Sequence, residues 1–314
     1  MMAFQAGHMP RWRVALVVVY LAAILPLLMF FNVGLTPDVL LFVFIGAALI
    51  VGRPLLFVRD WGAFCLILIL WQQTGPVAKW AGFPLHMKEL IDADRMIVRP
   101  FLHGALPQVW LQQRLLHWRH WQWYDVMSWA VYGLHFIEPL LVGFAIWLRT
   151  RAGFQRYATA YLVLAGLAFI GYIVYPAIPP WMAADYLHHA IPHVVNLFSA
   201  FNDWVLKDQF HHSYKSILHV SYNLTAAMPS LHAAFPLLSA LYLRRTFGNW
   251  GLLMLAYAAI VWFAVVYMAE HWIIDVLVGL GCAVLAYALV EGLAWARARA
   301  RRRVEVPMQS AAAR

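Results

Sequence analysis

Two short stretches place ionisable side chains at the beginning of long apolar segments. One contains His232, and the other contains His271 and Asp275. Ionisable groups at membrane depth are costly, so they are candidate functional residues. A histidine can act as a nucleophile toward phosphorus, while a second histidine and a carboxylate supply the proton transfer and the orientation that this attack requires. These residue types therefore indicate phosphoryl transfer through a histidine nucleophile.

The spacing of these residues suggests a part for each of them. On a helix, His271 and Asp275 share a face because they are four residues apart. The carboxylate can then accept a hydrogen bond from one ring nitrogen and leave the other nitrogen free to attack phosphorus. His232 lies within one turn of a helix that Pro229 can begin, where free backbone N–H groups favour a phosphate. His232 is thus available as the general acid, and an interhelical hydrogen bond is the alternative role for each residue taken alone.

The composition predicts a membrane protein. Of the 314 residues, 64% are hydrophobic and 12% are charged, whereas soluble domains average about 45–50% apolar and about 25% charged residues. We expect an all-α polytopic membrane protein with a single membrane domain, residues 1–296. Cys65 and Cys282 lie inside apolar segments, where they are expected to be small buried hydrophobes rather than disulfide or zinc ligands.

Eight apolar segments are expected, and six to eight of them cross the bilayer. A six-helix core over residues 61–295 follows two N-terminal segments, within 14–52, that need not belong to it. Arg11 and Arg13 precede the first apolar run, which lacks a small-x-small cleavage site, so a retained anchor is favoured over a signal peptide. The segments cover residues 14–31, 37–52, 61–78, 127–148, 157–176, 230–243, 251–269 and 272–295.

The arginines predict the orientation of the chain in the membrane. With a cytoplasmic N-terminus, alternate crossings place every short arginine-rich loop and both termini on the cytoplasmic side. His232 and His271 are separated by two crossings at roughly 1.5 Å per residue, so both reach the outer face. Residues 297–314 are expected to form a basic, disordered cytoplasmic tail beside anionic lipid. This placement accounts for the net charge of +9 without a nucleic-acid partner.

The outer segments carry the candidate phosphate-binding cations. Residues 85–116 mix apolar residues with charges, as in one or two amphipathic helices that lie in the membrane interface. Lys88, Arg95 and Arg99 are candidate substrate-binding residues because the transition state needs cations around its oxygens. Anchoring of the interfacial helix by snorkelling is the alternative role. Asp94 is expected either to bind a headgroup or to form an ion pair with Arg95.

Both histidine stretches resemble signatures of the type 2 phosphatidic acid phosphatase superfamily. Met228-Pro229-Ser230-Leu231-His232 resembles the second signature, Pro-Ser-Gly-His, with leucine in place of glycine. The stretch from Val266 to Asp275 resembles the third signature, in which His-x-x-x-Asp follows a Ser-Arg pair. The resemblance implies a helical membrane core that removes or transfers phosphate groups without a metal or cofactor. It also implies that His271 is the nucleophile, Asp275 its orienting partner and His232 the general acid.

The chain departs from these signatures at two cationic positions. Val265 stands where the third signature carries arginine, and Asp92 stands where the first carries lysine, although Arg99-Pro100 is present. These departures, and the sequence Pro-Ser-Leu-His, are similar to the inositol phosphorylceramide synthase-like branch. The stretch Tyr132-Gly133-Leu134-His135-Phe136 with Pro139, and the proline-rich stretch 175–181, also look like bacterial members of that branch.

This resemblance implies a lipid phosphatase or phosphotransferase of the cell membrane, with its site on the extracytoplasmic face. A membrane lipid is the expected substrate, and a second lipid or a polyol phosphate is the candidate acceptor. His135 is a candidate substrate-binding residue together with Glu138, or an interhelical hydrogen-bonding group. A non-enzymatic transporter or scaffold that uses the histidines structurally is the alternative. No metal site is predicted, since Pro192 disrupts helical spacing among His188, His189 and His193. The oligomeric state is left open.

Overall fold

The computed structural model describes residues 10–31, 33, 37–72, 82–118, 120–187, 191–204 and 225–312. Over these residues the regular structure is helical, and the extended backbone is limited to isolated bridges that join Ala177 to His86 and to Ala226. The predicted all-α class is therefore confirmed. The chain divides into two compact units, of residues 1–77 with 199–223 and of residues 78–198 with 224–314.

In the first unit, three apolar helices pack in chain order. Aromatic packing joins the second and third of them, because Phe44 stacks on Trp61 with ring centroids 6.0 Å apart. Gly52 makes the turn between these helices with a positive φ of 78°. The sequence assigns residues 61–78 to the core, whereas this packing groups the third helix with the N-terminal pair. The helices are α1 (Arg11–Phe30), α2 (Pro37–Val51) and α3 (Pro54–Gln72).

The second unit contains the remaining helices, except for the short helix α10 (Leu197–Asn202). The boundary between the two units falls within this helix. Two helices of the second unit cover the amphipathic stretch 85–116, which confirms their prediction as helices. They are followed by the longer apolar helices of the unit. The helices are α4 (Lys88–Leu102), α5 (Pro107–Leu115), α6 (Trp123–Gly133), α7 (Glu138–Arg149), α8 (Arg151–Val174), α9 (Pro180–Tyr186), α11 (Leu231–Phe247), α12 (Leu253–Tyr267) and α13 (Ile273–Ala312).

Several helical stretches are long and apolar enough to cross a membrane. Among the described residues there are four, and α6 with α7 makes a fifth if that bent pair is one span. The stretch from Leu231 to Tyr267 is a hairpin of α11 and α12, because Trp262 Nε1 of α12 donates to the Ala233 carbonyl of α11 at 3.1 Å. The hairpin brings the beginning of α11 close to the end of α12, as the two-crossing prediction requires. The four stretches are Arg11–Leu28, Arg151–Val174, Leu231–Tyr267 and Ile273–Arg301.

The structure corrects the sequence-based boundaries in two places. Segment 127–148 is broken by a 3-10 turn at Leu134–Phe136, and α6 and α7 meet at an angle of 62°. Pro139 explains the break, since a proline ring clashes with the carbonyl group four residues earlier and lacks an N–H donor. The last helix runs to Ala312 through the residues predicted to be a disordered tail. Alanine and arginine, which are frequent after Trp295, both favour helix.

Candidate active site

His271 lies in the short loop between α12 and α13. The last residues of α12 bind this loop, because the backbone N–H of His271 donates to the Val265 carbonyl at 3.0 Å. Trp272 anchors the next position, since its indole Nε1 donates to the Ile178 carbonyl at 2.9 Å. Val265 is fully buried. The position where the third signature carries arginine therefore contributes a backbone acceptor and an apolar side chain to the site.

The three predicted catalytic residues are in contact. Asp275 Oδ2 lies 3.5 Å from His271 Nδ1, and His271 Nε2 lies 3.3 Å from His232 Nδ1. Asp275 is completely buried and His271 is 6% exposed. His271 precedes α13 rather than sharing a helix face with Asp275 as the sequence predicts, and the loop nevertheless brings its Nδ1 to the carboxylate. The α11–α12 hairpin brings His232 to the other ring nitrogen.

Asp275 has a second, structural contact in the same loop. Its Oδ2 also accepts a hydrogen bond from the backbone N–H of Trp272 at 2.9 Å. A carboxylate in the first turn of a helix satisfies free N–H groups and interacts favourably with the helix dipole. Asp275 therefore contacts the imidazole of His271 and also stabilises the beginning of α13.

The beginning of α11 positions His232 against α13. Ser230 caps α11 by accepting from the Ala233 N–H at 3.3 Å, and its own backbone N–H donates to the Asp275 carbonyl at 3.0 Å. Gly279 of α13 allows this approach, because a Cβ at that position would overlap the Ser230 carbonyl oxygen. The close contact of these two helix beginnings explains how residues 39 apart come into hydrogen-bond distance.

We expect Gly279→Ala to lower both stability and activity. The added methyl group must push α13 away from Ser230, and overpacking of this kind costs about 1–3 kcal/mol. Gly281→Ala is the matched control, because a Cβ at Gly281 meets nothing within 4 Å. Thermal unfolding in detergent and turnover of a lipid substrate measure the two effects. Equal melting temperatures and equal turnover for the two variants would contradict this account of the helix contact.

Aromatic rings surround His232. Tyr132 of α6 stacks on its ring with centroids 4.2 Å apart, and His135 of the 3-10 turn stacks on it at 3.8 Å. His135 also stacks on Phe235 of α11, with centroids 5.1 Å apart. The structure thus brings His135 into the site through His232. Glu138 follows the same break and is buried.

Two polar residues of α4 and α5 reach the loop of residues 268–272 that carries His271, here called the His271 loop, and the beginning of α13. Asp94 of α4 accepts hydrogen bonds from the backbone N–H groups of Ile273 and Ile274, each at 3.0 Å. Gln108 of α5 donates through Nε2 to Asp94 Oδ2 at 3.0 Å and to the His271 carbonyl at 3.2 Å. The sequence predicts that Asp94 binds a headgroup or pairs with Arg95. The structure shows its carboxylate bound to the backbone N–H groups at the beginning of α13.

Burial has an electrostatic consequence for Asp94. Desolvation raises the pKa of its carboxyl to about 6, although the hydrogen bonds from Gln108, Ile274 and Ile273 act in the opposite direction. The carboxylate form that accepts all three hydrogen bonds therefore predominates only above about pH 6.

Sequence reasoning missed the two glutamines of α5. Gln112, one turn after Gln108, donates to the Tyr267 carbonyl at 3.0 Å and to the Val195 carbonyl at 2.9 Å, and accepts from the Val195 N–H at 2.8 Å. Both glutamines are buried although they are polar. Their spacing of four residues in an otherwise amphipathic segment is the signal that could have identified them.

The three candidate cations occupy a different surface of α4. Lys88, Arg95 and Arg99 are exposed, whereas Asp94 on the same helix is fully buried. These cations therefore lie on the exposed face of α4, whereas its buried face reaches the first turn of α13 through Asp94.

For a metal, the described part of the chain offers no cluster of three or more histidine, cysteine, aspartate or glutamate residues. Of the histidines considered for a metal site, His193 is described and exposed, while His188 and His189 lie outside the described residues.

Comparisons with known proteins identify the family of the chain. The model of the PAP2 superfamily matches residues 103–289, a range that contains His135, His232, His271 and Asp275. The chain is 31% identical over 178 residues to a phosphoinositol dihydroceramide synthase of Bacteroides thetaiotaomicron. These aligned residues are 55% of this chain and 57% of that protein.

Fungal proteins also match the chain. The inositol phosphorylceramide synthase catalytic subunit of Saccharomyces cerevisiae is 27% identical over 178 residues, covering 53% of this chain and 41% of that protein. The corresponding subunit of Schizosaccharomyces pombe is 23% identical over 189 residues, covering 54% and 40%. The chain thus spans about half the length, or less, of these curated relatives.

No solved structure matches the chain. The family match covers more than half of the residues and includes both histidine stretches, which confirms the resemblance noted in the sequence. The chain belongs to the PAP2 superfamily.

Proposed function

We propose that the protein transfers a phospho-headgroup from a membrane lipid to the hydroxyl group of a second lipid, through a covalent intermediate on His271. The observation that carries this proposal is the pair of contacts on the His271 ring, with Asp275 beside Nδ1 and His232 beside Nε2. A carboxylate beside Nδ1 holds the ring proton there and leaves a lone pair on Nε2. Nε2 is therefore the attacking nitrogen.

In the first step, Nε2 of His271 forms a bond to phosphorus while the bond from phosphorus to the donor lipid oxygen breaks. The donor oxygen takes a proton from His232 and leaves as an alcohol. Asp275 stabilises the positive charge that develops on the His271 ring. In the second step, the acceptor hydroxyl loses its proton to His232 and attacks phosphorus, and the N–P bond breaks. Both histidines then return to their starting protonation states.

The contact between the two imidazoles sets a condition for substrate entry. Nitrogen atoms 3.3 Å apart leave no room for a phosphoryl group between them. The substrate phosphate therefore enters by displacing one ring from the other and replaces their hydrogen bond with its own oxygens. Arg95, Arg99 and Lys88, which are exposed on α4, are our candidates for binding those oxygens, since the apolar Val265 cannot do so.

The names of the relatives suggest the substrates to test first. The bacterial relative is a phosphoinositol dihydroceramide synthase, and the fungal relatives are inositol phosphorylceramide synthases. We propose a phosphoinositol lipid as the donor and a lipid of the ceramide class as the acceptor. Because these relatives are synthases, they favour transfer to a lipid over hydrolysis by water. The arginine pattern supports a site on the extracytoplasmic face with both termini in the cytoplasm.

A lipid panel tests the proposed function. The purified protein is incubated in mixed vesicles with a glycerophospholipid that bears a phosphoinositol headgroup, or with other glycerophospholipids. Each donor is tested with and without ceramide or dihydroceramide, in the presence of a chelator. We expect mass spectrometry to detect a headgroup-bearing ceramide together with an equimolar amount of diacylglycerol. Release of free headgroup phosphate without any need for an acceptor would instead identify a phosphatase. Absence of turnover across the panel would contradict the enzymatic proposal.

A further inference from the structure

The His271 loop and the first turn of α13 are held by two side chains of the helix pair α4–α5. Both oxygens of Asp94 accept backbone N–H groups from the first turn of α13, and Gln108 connects Asp94 to the carbonyl of His271 itself. The contacts of Asp94 and Gln108 with residues 271–274 join positions more than 160 residues apart in the chain. The loop therefore depends on helices that belong to neither histidine stretch.

We propose that Asp94 and Gln108 are positioning residues that orient His271 and Asp275 for attack on phosphorus. Neither has to touch the substrate. Each acts through the backbone of residues 271–274, which connects the imidazole of His271 to the carboxylate of Asp275. This inference rests on the proposed function, since it assumes that His271 is the nucleophile.

The chemistry of the Asp94 site requires a carboxylate. Three donors converge on it: two backbone N–H groups and the Gln108 amide. An asparagine would turn an NH2 group toward one of these donors and leave it without an acceptor inside the protein. The orientation of the Gln108 amide is equally determined, because both of its Nε2 partners, Asp94 Oδ2 and the His271 carbonyl, are acceptors.

The position of Asp94 also fits the electrostatics of α13. The helix begins at Ile273, and its first N–H groups carry partial positive charge. Two carboxylates accept from the N–H groups at this helix beginning. Asp94 accepts from those of Ile273 and Ile274, and Asp275 accepts from that of Trp272. Loss of the Asp94 carboxylate removes the acceptor of two half-buried backbone donors and displaces the first turn, which carries Asp275. A displacement of about 1 Å at a reacting group costs roughly a hundredfold in rate.

Asp94→Asn and Gln108→Leu test the inference, each against a matched exposed control on the same helix, Asp92→Asn and Gln113→Leu. In the lipid assay we expect kcat to fall about tenfold to a hundredfold for Asp94→Asn and less for Gln108→Leu, with KM unchanged. The rate of covalent labelling of His271 in a single turnover should fall by the same factor as kcat. The double variant should lose less than the product of the single losses, because the two residues share one hydrogen bond.

Thermal unfolding accompanies each assay so that positioning is separated from folding. If Asp94→Asn does not fold, Gln108→Leu decides alone, because it keeps the carboxylate and removes only the amide contacts. Labelling and kcat equal to those of the controls would overturn the inference, and so would a loss confined to KM. The proposed function is judged separately by His271→Ala, since turnover that survives in that variant refutes the nucleophile rather than its positioning.

Discussion

Replacement of His271 by alanine is expected to abolish headgroup transfer, with a loss of at least about a thousandfold in kcat. The variant removes the attacking nitrogen and its contact with Asp275. The fold should persist, because the backbone N–H and carbonyl of residue 271 still bind Val265 and Gln108. Turnover of the phosphoinositol donor in vesicles, measured with product detection by mass spectrometry, checks this expectation.

The control for this variant is His193→Ala, which removes an exposed imidazole from the same unit. It should transfer the headgroup like the wild-type protein. Thermal unfolding of both variants shows whether each retains its fold. A folded His271→Ala protein with unchanged turnover would refute the covalent mechanism, whatever the substrate.

Replacement of His232 by alanine is expected to produce the second large effect, and one that depends on the leaving group. A general acid contributes about 10²–10⁴-fold when it protonates a poor leaving group such as an aliphatic alkoxide. A nitrophenyl phosphodiester has a leaving group that needs no proton. We therefore expect a loss of about 10²–10⁴-fold with the natural lipid ester and a loss of less than about tenfold in the labelling step with the nitrophenyl ester.

His193→Ala is again the control for His232→Ala. This change removes an exposed imidazole of the same unit, so activity toward both esters should stay close to that of the wild-type protein. Equal losses of His232→Ala with the two esters would show that His232 binds the phosphate or maintains the loop. The general acid would then have to be another group.

The contacts among His271, Asp275 and His232 are partly accessible to sequence reasoning. The spacing of four residues predicts that Asp275 lies near His271, although His271 precedes the helix, and two crossings predict that His232 returns to the same end of the bundle. The distances of 3.5 Å and 3.3 Å agree with this proximity. The aromatic surroundings of His232 are partly accessible, since the sequence indicates His135 as a candidate but does not predict its stacking on the His232 ring.

The support of the His271 loop could not be predicted in the same way. Asp94 and Gln108 contact residues that are 163 to 180 positions away, and no local pattern encodes such pairs. Asp94 lies next to Arg95 in the sequence, which favours the reading of an ion pair, yet successive residues point in different directions on a helix. The broken span before α7 was more accessible, because Pro139 is a local signal for it.

The most direct test of the account is to trap the covalent intermediate. The protein is mixed with a phosphoinositol donor without an acceptor, quenched in alkali to preserve the N–P bond, digested and analysed by mass spectrometry. We predict the headgroup phosphate on Nε2 of His271, and its disappearance when a ceramide acceptor is added before the quench. Turnover that proceeds without any label on His271, or with the label on His232, would contradict the account.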